Sequence, residues 1–252
     1  MLENVHMNEY IPGSRLKECF GNSLHENFRQ LCLRYSELGK RADVRMLPFR
    51  DRSSVHFLTL SIETQLRIIE TLSITIRILE SAIANDVDFK NSKLSLIWLA
   101  LRELGLRPTS NLFTELDETD IIEIYNLEHV QIFRTFNMFK CINYSLDELF
   151  SHEWWDLFQR DSAITDALAS IAISFTSGRQ TTTRMVDLPD HVIEEKFSPV
   201  KTRVLVRSRL GSPLFNAHSR AIAGYLNVVR PIRIMEQNFA AVPRPPVSLG
   251  PV

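Results

Sequence analysis

Cysteine and glycine are both scarce in this 252-residue chain, with 3 of the first and 8 of the second. Cys19, Cys32 and Cys141 are widely spaced and form no C-x-x-C pair, which argues against a disulfide framework or a cysteine zinc site. No secretory leader is recognisable at the start, so a reducing cytoplasm is the expected setting. The few glycines make neither G-x-G-x-x-G nor G-x-x-x-x-G-K, and no G-x-S-x-G elbow or H-E-x-x-H pair occurs, so the common nucleotide, acyl-transfer and zinc-hydrolase signatures are all missing. A formal charge of -1 gives no global reason to expect binding to nucleic acid or an anionic membrane. The longest apolar region, 57–83, is interrupted by Glu63, Arg67, Glu70, Arg77 and Glu80, whose burial in a bilayer is expensive, so no membrane span is expected.

What is present is ordinary globular material, 44% hydrophobic and 23% charged, enough for one or two cores. Ile62, Leu66, Ile69, Leu72, Ile76, Leu79 and Ile83 recur at three- and four-residue steps and predict one long amphipathic helix. Leu24, Phe28, Leu31, Tyr35 and Leu38 have the same spacing, introduced by the capping box Ser23-Leu24-His25-Glu26 and stopped by Gly39. A third helix is expected from Lys93 to Leu104, with Leu94, Ile97, Trp98, Leu101 and Leu104 apolar, Gly105 at its end and Pro108 beyond. The first part, 1–112, therefore reads as a helical bundle. Ile68, Ile74 and Ile78 add more apolar surface to the long helix than one neighbour covers, which suggests a homodimer through these helices; the alternative is a monomeric bundle.

The second half changes period. Ile121–Tyr125 and Val130–Arg134 are rich in β-branched and aromatic residues and read as a hairpin turning at 126–129. Ser145-Leu146-Asp147-Glu148 is a capping box. A helix from Ser162 to Thr176 follows from the stripe Ile164, Leu168, Ile171 and Phe175, with Gly178 as a left-handed stop. Strands are expected over 181–186, 202–209 and 221–229, broken at Gly211-Ser212-Pro213 and 216–219.

In this order the segment 119–233 resembles a PAS sensory domain. The likeness rests on Phe133-Arg134-Thr135-Phe136-Asn137-Met138-Phe139, on Asn143-Tyr144-Ser145-Leu146-Asp147-Glu148-Leu149, similar to the family's "G-Y-S-x-E-E-L" element, and on Trp154-Trp155-Asp156-Leu157. Pro213-Leu214-Phe215-Asn216 and Gly224–Val229 resemble its closing hairpin. Asn143 replaces a frequent Gly, and Arg230-Pro231-Ile232 stands where many members carry Asp-Ile-Thr. The resemblance implies a five-stranded antiparallel sheet with short helices on one face, the first strand beside the last, and a ligand held between sheet and helices. Phe136, Phe139, Cys141, Trp154 and Trp155 are the candidate pocket residues it singles out. Haem would need an axial His or Cys, and no placement selects one; flavin is equally unsupported. The cofactor stays unknown.

Charge is uneven along the chain. No acid occurs between Lys196 and Met235, whereas Glu115, Asp117, Glu118, Asp120, Glu123 and Glu128 form a stretch without Lys or Arg. Strand alternation puts Arg203, Leu205, Arg207 and Arg209 on one side and Val204 and Val206 on the other. With first and last strands adjacent, internal matching of these charges is one reading. The other is docking of an acidic protein surface or a nucleotide on Arg203, Arg207 and Arg209. Lys40, Arg41, Arg45, Arg50 and Arg52 read as a solvated connection, and no recognition helix accompanies them. His152, Glu153 and Asp156 read as the polar side of a capped helix rather than a catalytic or metal cluster, and His129, His191 and His218 as solvent-exposed turn residues. The proline-containing end, 237–252, reads as extended or flexible.

The resulting expectation is an α+β, non-enzymatic signalling or regulatory protein that uses the PAS-like part for sensing or protein contact. The alternatives are a DNA-binding regulator with a PAS-like dimerisation domain and, behind that, a small-molecule enzyme.

Overall fold

In the computed structural model, which describes residues 13–50, 54–88 and 92–239 and the side chains of 23–50, 55–88 and 92–235, four helices come first. They are α1 (Gly13–Lys40), α2 (Ser54–Thr59), α3 (Ile62–Ala84) and α4 (Lys93–Glu103). The expected long helix over 57–83 is divided at Leu60–Ser61 because Ser61 is extended and its hydroxyl caps α3, accepting from Thr64 N–H at 3.1 Å. The capping box at Ser23 lies inside α1 instead of starting it, and the helix runs one residue past Gly39. Leu24 and Glu26 suit a helix interior as well as a first turn, so the cap signal alone did not locate the start.

Phe28 of α1 stacks on Phe57 of α2 with ring centroids 4.1 Å apart, and Arg34 of α1 meets Glu80 of α3 at 2.6 Å. The far side of α3 is covered within the chain. It packs on α4 and on β3 (Gln131–Arg134), and Thr75 Oγ1 donates to Ile132 O at 3.2 Å. Ile68 and Ile78 are buried and Ile74 is half-buried, which removes the reason given for a second chain at that surface. Ile62 and Leu66, at the start of the same stripe, are 44% and 50% exposed. Trp98 of α4 is also exposed rather than apolar core, with the Arg102 guanidinium over its ring.

The sheet is antiparallel and has eight strands, not five. Besides β3 these are β1 (Leu106–Arg107), β2 (Ile121–Asn126), β4 (Phe158–Gln159), β5 (Arg184–Met185), β6 (His191–Glu195), β7 (Val200–Asn216) and β8 (Ile222–Phe239). The main path is β3-β2-β8-β7-β6-β4, with β1 and β5 pairing β7 in addition. The β2–β3 hairpin forms as expected, its turn closed by Asn126 Oδ1 accepting from the N–H groups of Glu128 and Val130. The first strand of this half, β2, lies along β8, the last.

Three expectations along the chain are corrected. Gly211-Ser212-Pro213 does not break β7, which runs through it. Pro213 falls between the residues paired to β5 and those paired to β1, where β7 has no partner on that side. The stretch around His191 is the strand β6 rather than a turn. β8 continues to Phe239, so its end overlaps the segment expected to be flexible from 237; Pro243, Pro245, Pro246 and Pro251 lie outside the described residues.

Short helices connect the strands: a 3-10 turn (Phe136–Lys140), α5 (Leu112–Glu115), α6 (Leu146–Ser151), α7 (Trp154–Leu157) and α8 (Ser162–Thr176). In the capping box of α6, Glu148 Oε2 accepts from Ser145 N–H at 2.8 Å. α8 ends as predicted, with Gly178 at φ +73°. It lies across β7 and β8. Phe175 sits so close to β7 that a Cβ at Gly211 would meet its ring at 2.5 Å, so this glycine serves close approach rather than a turn.

One continuous core contains Phe28, Leu72 and Ile97 from the helices together with Ile122, Phe133 and Leu214 from the sheet. It spans the boundary drawn near 107–118.

Candidate functional site

Inward-facing residues of five strands leave a cavity of about 70 Å³ beneath α7 and α8. Ile121, Glu123 and Tyr125 of β2 face it, as do Val204, Val206, Ser208 and Leu210 of β7, the period-2 alternation expected of strands. Ile122 and Ile124, on the opposite face, are buried as well, which explains why β2 reads as an unbroken apolar run. Leu168 and Ile171 of α8 and Trp154 and Leu157 of α7 form the lid.

The wall is mostly aliphatic, with a few polar groups gathered at β2, β3 and the segment after α7. Arg134, the last residue of β3, is 7% exposed, and its Nη1 is buried with no hydrogen-bond partner. Arg160 Nε and Trp154 Nε1 are buried and unpartnered in the same way. All three residues line this cavity. The Arg160 guanidinium lies 5.8 Å from the centre of the Trp154 ring. Burial lowers the Arg160 pKa from its ordinary value, with Glu123 and Tyr125 acting the other way. Glu123 accepts from Tyr125 Oη–H and from Gln131 Nε2–H, both at 2.9 Å. Burial holds the Tyr125 hydroxyl well above the usual tyrosine range, and the nearby Glu123 carboxylate adds to this.

Two of the five candidate pocket residues are where the resemblance implied. Cys141 and Trp154 line the cavity. Burial raises the Cys141 thiol pKa. Phe136 and Phe139 point elsewhere, each with its ring 6.0 Å from Tyr35 of α1, and fill the core between the sheet half and the helices. Trp155 is 42% exposed on the surface of α7. Sequence reasoning missed Glu123, Arg134, Arg160 and His191. The signal for the first was there: Glu123 shares strand parity with Ile121 and Tyr125, an ionisable residue on an otherwise apolar face.

His191 is buried in the cavity wall instead of exposed, its Nδ1 3.1 Å from Pro189 O. Burial lowers its pKa, partly offset by that hydrogen bond, and the Arg160 charge lowers it further. His129 is half-buried, with its Nδ1 3.1 Å from Tyr225 Oη, while His218 is exposed in a turn as expected. His152, Glu153 and Asp156 go to separate partners. The His152 ring stacks between His56 and Phe197, Glu153 meets Arg67 at 3.0 Å, and Asp156 meets Lys196 at 3.9 Å. Among the described residues no group of three or more His, Cys, Asp or Glu could hold a metal ion.

The arginines of β7 are matched internally. Arg207 makes a two-pronged contact with Asp190, Nε to Oδ1 at 2.7 Å and Nη2 to Oδ2 at 2.9 Å. Arg203 Nε lies 3.3 Å from Glu194 Oε2. Arg209 pairs with Asp120, a fully buried carboxylate that Arg230 of β8 also reaches at 2.9 Å, while Asp117 meets Arg230 at 3.2 Å. The acidic stretch thus clamps the β7–β8 hairpin to β2. Among the described residues no helix is long and apolar enough to cross a membrane.

Comparison with models of protein families finds none that matches the chain, and comparison with curated proteins finds no similar sequence.

Proposed function

We propose that this chain is a non-enzymatic regulatory protein whose PAS-like half senses a small molecule in the cavity between sheet and helices and signals by protein contact. The observation that carries the reading is the cavity itself: an aliphatic chamber with a small group of convergent polar side chains, the usual make-up of a ligand site. The placement of β2 beside β8 and the capped start of α6 at Ser145 support the PAS-like part of the reading. At about 70 Å³ the chamber exceeds the roughly 10–15 Å³ that one water needs and falls short of the ~300 Å³ typical of drug-sized ligands. A ligand of few non-hydrogen atoms fits that window.

The route outward runs through α3. Arg134 and Trp154 line both the cavity and an adjoining cleft formed with Thr64, Arg67 and Ile68 of α3, and Arg67 is tied to Glu153, the neighbour of Trp154. A ligand that favours one setting of Arg134 and Trp154 shifts the population of α3 positions by its differential affinity for them. Native mass spectrometry of protein purified from its own host tests the sensing step. Extra mass lost on denaturation is expected, and a clean unliganded mass counts against it.

Homodimerisation is part of the proposal, moved to a different surface. Ile62 and Leu66 continue an exposed apolar strip that includes Val55 and Leu58 of α2. Light scattering at micromolar concentration is expected to give twice the chain mass, falling to the chain mass in Leu66→Glu; a monomeric parent chain removes the dimer.

A further inference from the structure

We propose that the cavity takes a small organic monoanion, a short-chain carboxylate, with its oxygens on Arg134, Arg160 and Trp154 and its apolar tail against the aliphatic strands. This rests on the small-molecule reading above and assigns the ligand its chemical class.

The argument starts from the buried donors. Arg134 Nη1, Arg160 Nε and Trp154 Nε1 are enclosed without an acceptor and belong to the wall of the same chamber. Buried polar groups are nearly always hydrogen-bonded, and an unpartnered donor on a charged group is more unfavourable than a neutral one. Neither guanidinium forms an ion pair among the described residues. Three N–H donors converging on one space ask for an acceptor with several lone pairs, and the guanidinium fork suits a planar carboxylate.

Charge balance then limits the ligand. The titratable groups facing the cavity are Glu123, Tyr125, Arg134, Cys141, Arg160 and His191. Two guanidinium groups and one carboxylate leave one positive charge, since the tyrosine and thiol are held protonated by burial and the histidine is held neutral by the same cause. The Glu123 oxygens are already engaged by Tyr125 and Gln131. One monoanion restores neutrality inside the chamber, and a dianion overshoots it.

The remaining wall selects the rest of the molecule. Ile121, Ile193, Val204, Val206, Leu210 and Val228 offer hydrocarbon and no donors from their side chains. Inorganic phosphate would leave that surface uncovered, whereas a short alkyl tail covers it. The small volume restricts the tail to a few carbons.

The test is calorimetric titration of the full chain with propionate and butyrate, each paired with its primary amide, and with inorganic phosphate. The acids are expected to bind at least tenfold more tightly than their amides, and phosphate more weakly than butyrate. Arg134→Gln and Arg160→Gln are each expected to weaken butyrate by roughly ten- to a hundredfold, the loss of a hydrogen bond to a charged group. Arg207→Gln, outside the chamber, is expected to leave it unchanged. The acid–amide comparison uses the unaltered chain, so it stands even where a variant fails to fold. Equal binding of acid and amide, or full affinity in a folded Arg134→Gln, overturns the anion while leaving the sensing proposal intact. Phosphate equal to butyrate overturns the organic tail. If no acid binds at millimolar concentration the inference fails, and the native mass of the host-purified protein then decides separately whether any ligand is sensed.

Discussion

A single hydroxyl, that of Tyr144, holds three backbone groups from two places in the fold. It accepts from the N–H groups of Lys196 at 2.8 Å and Phe197 at 3.3 Å and donates to Leu157 O. Burial pushes its pKa up to about 12, so it keeps its proton at neutral pH. Tyr144→Phe strands a buried carbonyl and is expected to lower unfolding free energy by about 1–3 kcal/mol, read from a urea titration. Beside it the buried Glu195 carboxylate accepts from Asn143 N–H at 2.6 Å, Tyr144 N–H at 3.1 Å and Thr202 N–H at 2.9 Å. Burial raises the Glu195 pKa more than these bonds lower it. His56 behaves oppositely. Burial and the stacked His152 lower its pKa below 6.5. The unfolded chain therefore binds more protons just below pH 6.5 than the folded one, so the His56 contribution is complete above that pH and declines as pH falls. His25 and His191 shift in the same direction, and the raised Glu195 works against all three at lower pH. The urea midpoint is expected to fall between about pH 7.5 and about pH 5.5, and to fall less in His56→Gln.

Elements show where the residue pattern was enough and where it was not. α8 and the β2–β3 hairpin were legible because each has a period and a chemical stop: Gly178 for the helix, and an asparagine side chain that closes the turn. β6 was missed because His191-Val192-Ile193-Glu194-Glu195 carries three ionisable residues in five, and its pairing to β7 and β4 depends on segments distant in sequence. Gly211-Ser212-Pro213 resembled a turn, yet the glycine admits Phe175 and the proline sits at an unpaired edge position. Gly211→Ala is accordingly expected to destabilise by about 1–3 kcal/mol through overpacking against that ring. The same Cβ at a true turn would have little effect, so a change below the error of a urea titration restores the turn reading. The site was legible in part. Cys141 and Trp154 were reachable from the resemblance, whereas Arg160 stands in a connecting segment that no periodicity places against β2.

At the scale of the whole molecule, the helical and sheet halves are joined by more than a linker. Leu146 N–H donates to Leu47 O at 2.8 Å and Asp147 N–H to Pro48 O at 3.2 Å, bringing the connection after α1 against α6. Arg50 reaches Glu148 and Arg67 reaches Glu153 across the same junction. With one core running through both halves, unfolding is expected to be a single cooperative event. Trp98 in α4 and the Trp154–Trp155 pair in α7 report on the two halves independently. Fluorescence transitions in Trp98→Phe and in Trp154→Phe/Trp155→Phe should share one midpoint with the far-ultraviolet circular dichroism of each variant. Two separated midpoints would instead establish two units divided near 107–118.

The two buried cysteines turn this architecture into a pair of clocks. Cys32 is fully enclosed in the core beneath α1, while Cys141 stands in the cavity wall, and burial raises the pKa of both thiols. A thiol reagent in solution reaches a protected sulfur only as often as the structure around it opens. On a Cys19→Ser background, Cys141 should label at the frequency with which α7 and α8 lift from the sheet, and Cys32 at the much rarer frequency of global unfolding. The ratio of the two rates measures how often the chamber exchanges its contents without the fold coming apart, and an occupant that holds the lid down slows the first clock and leaves the second to follow stability alone.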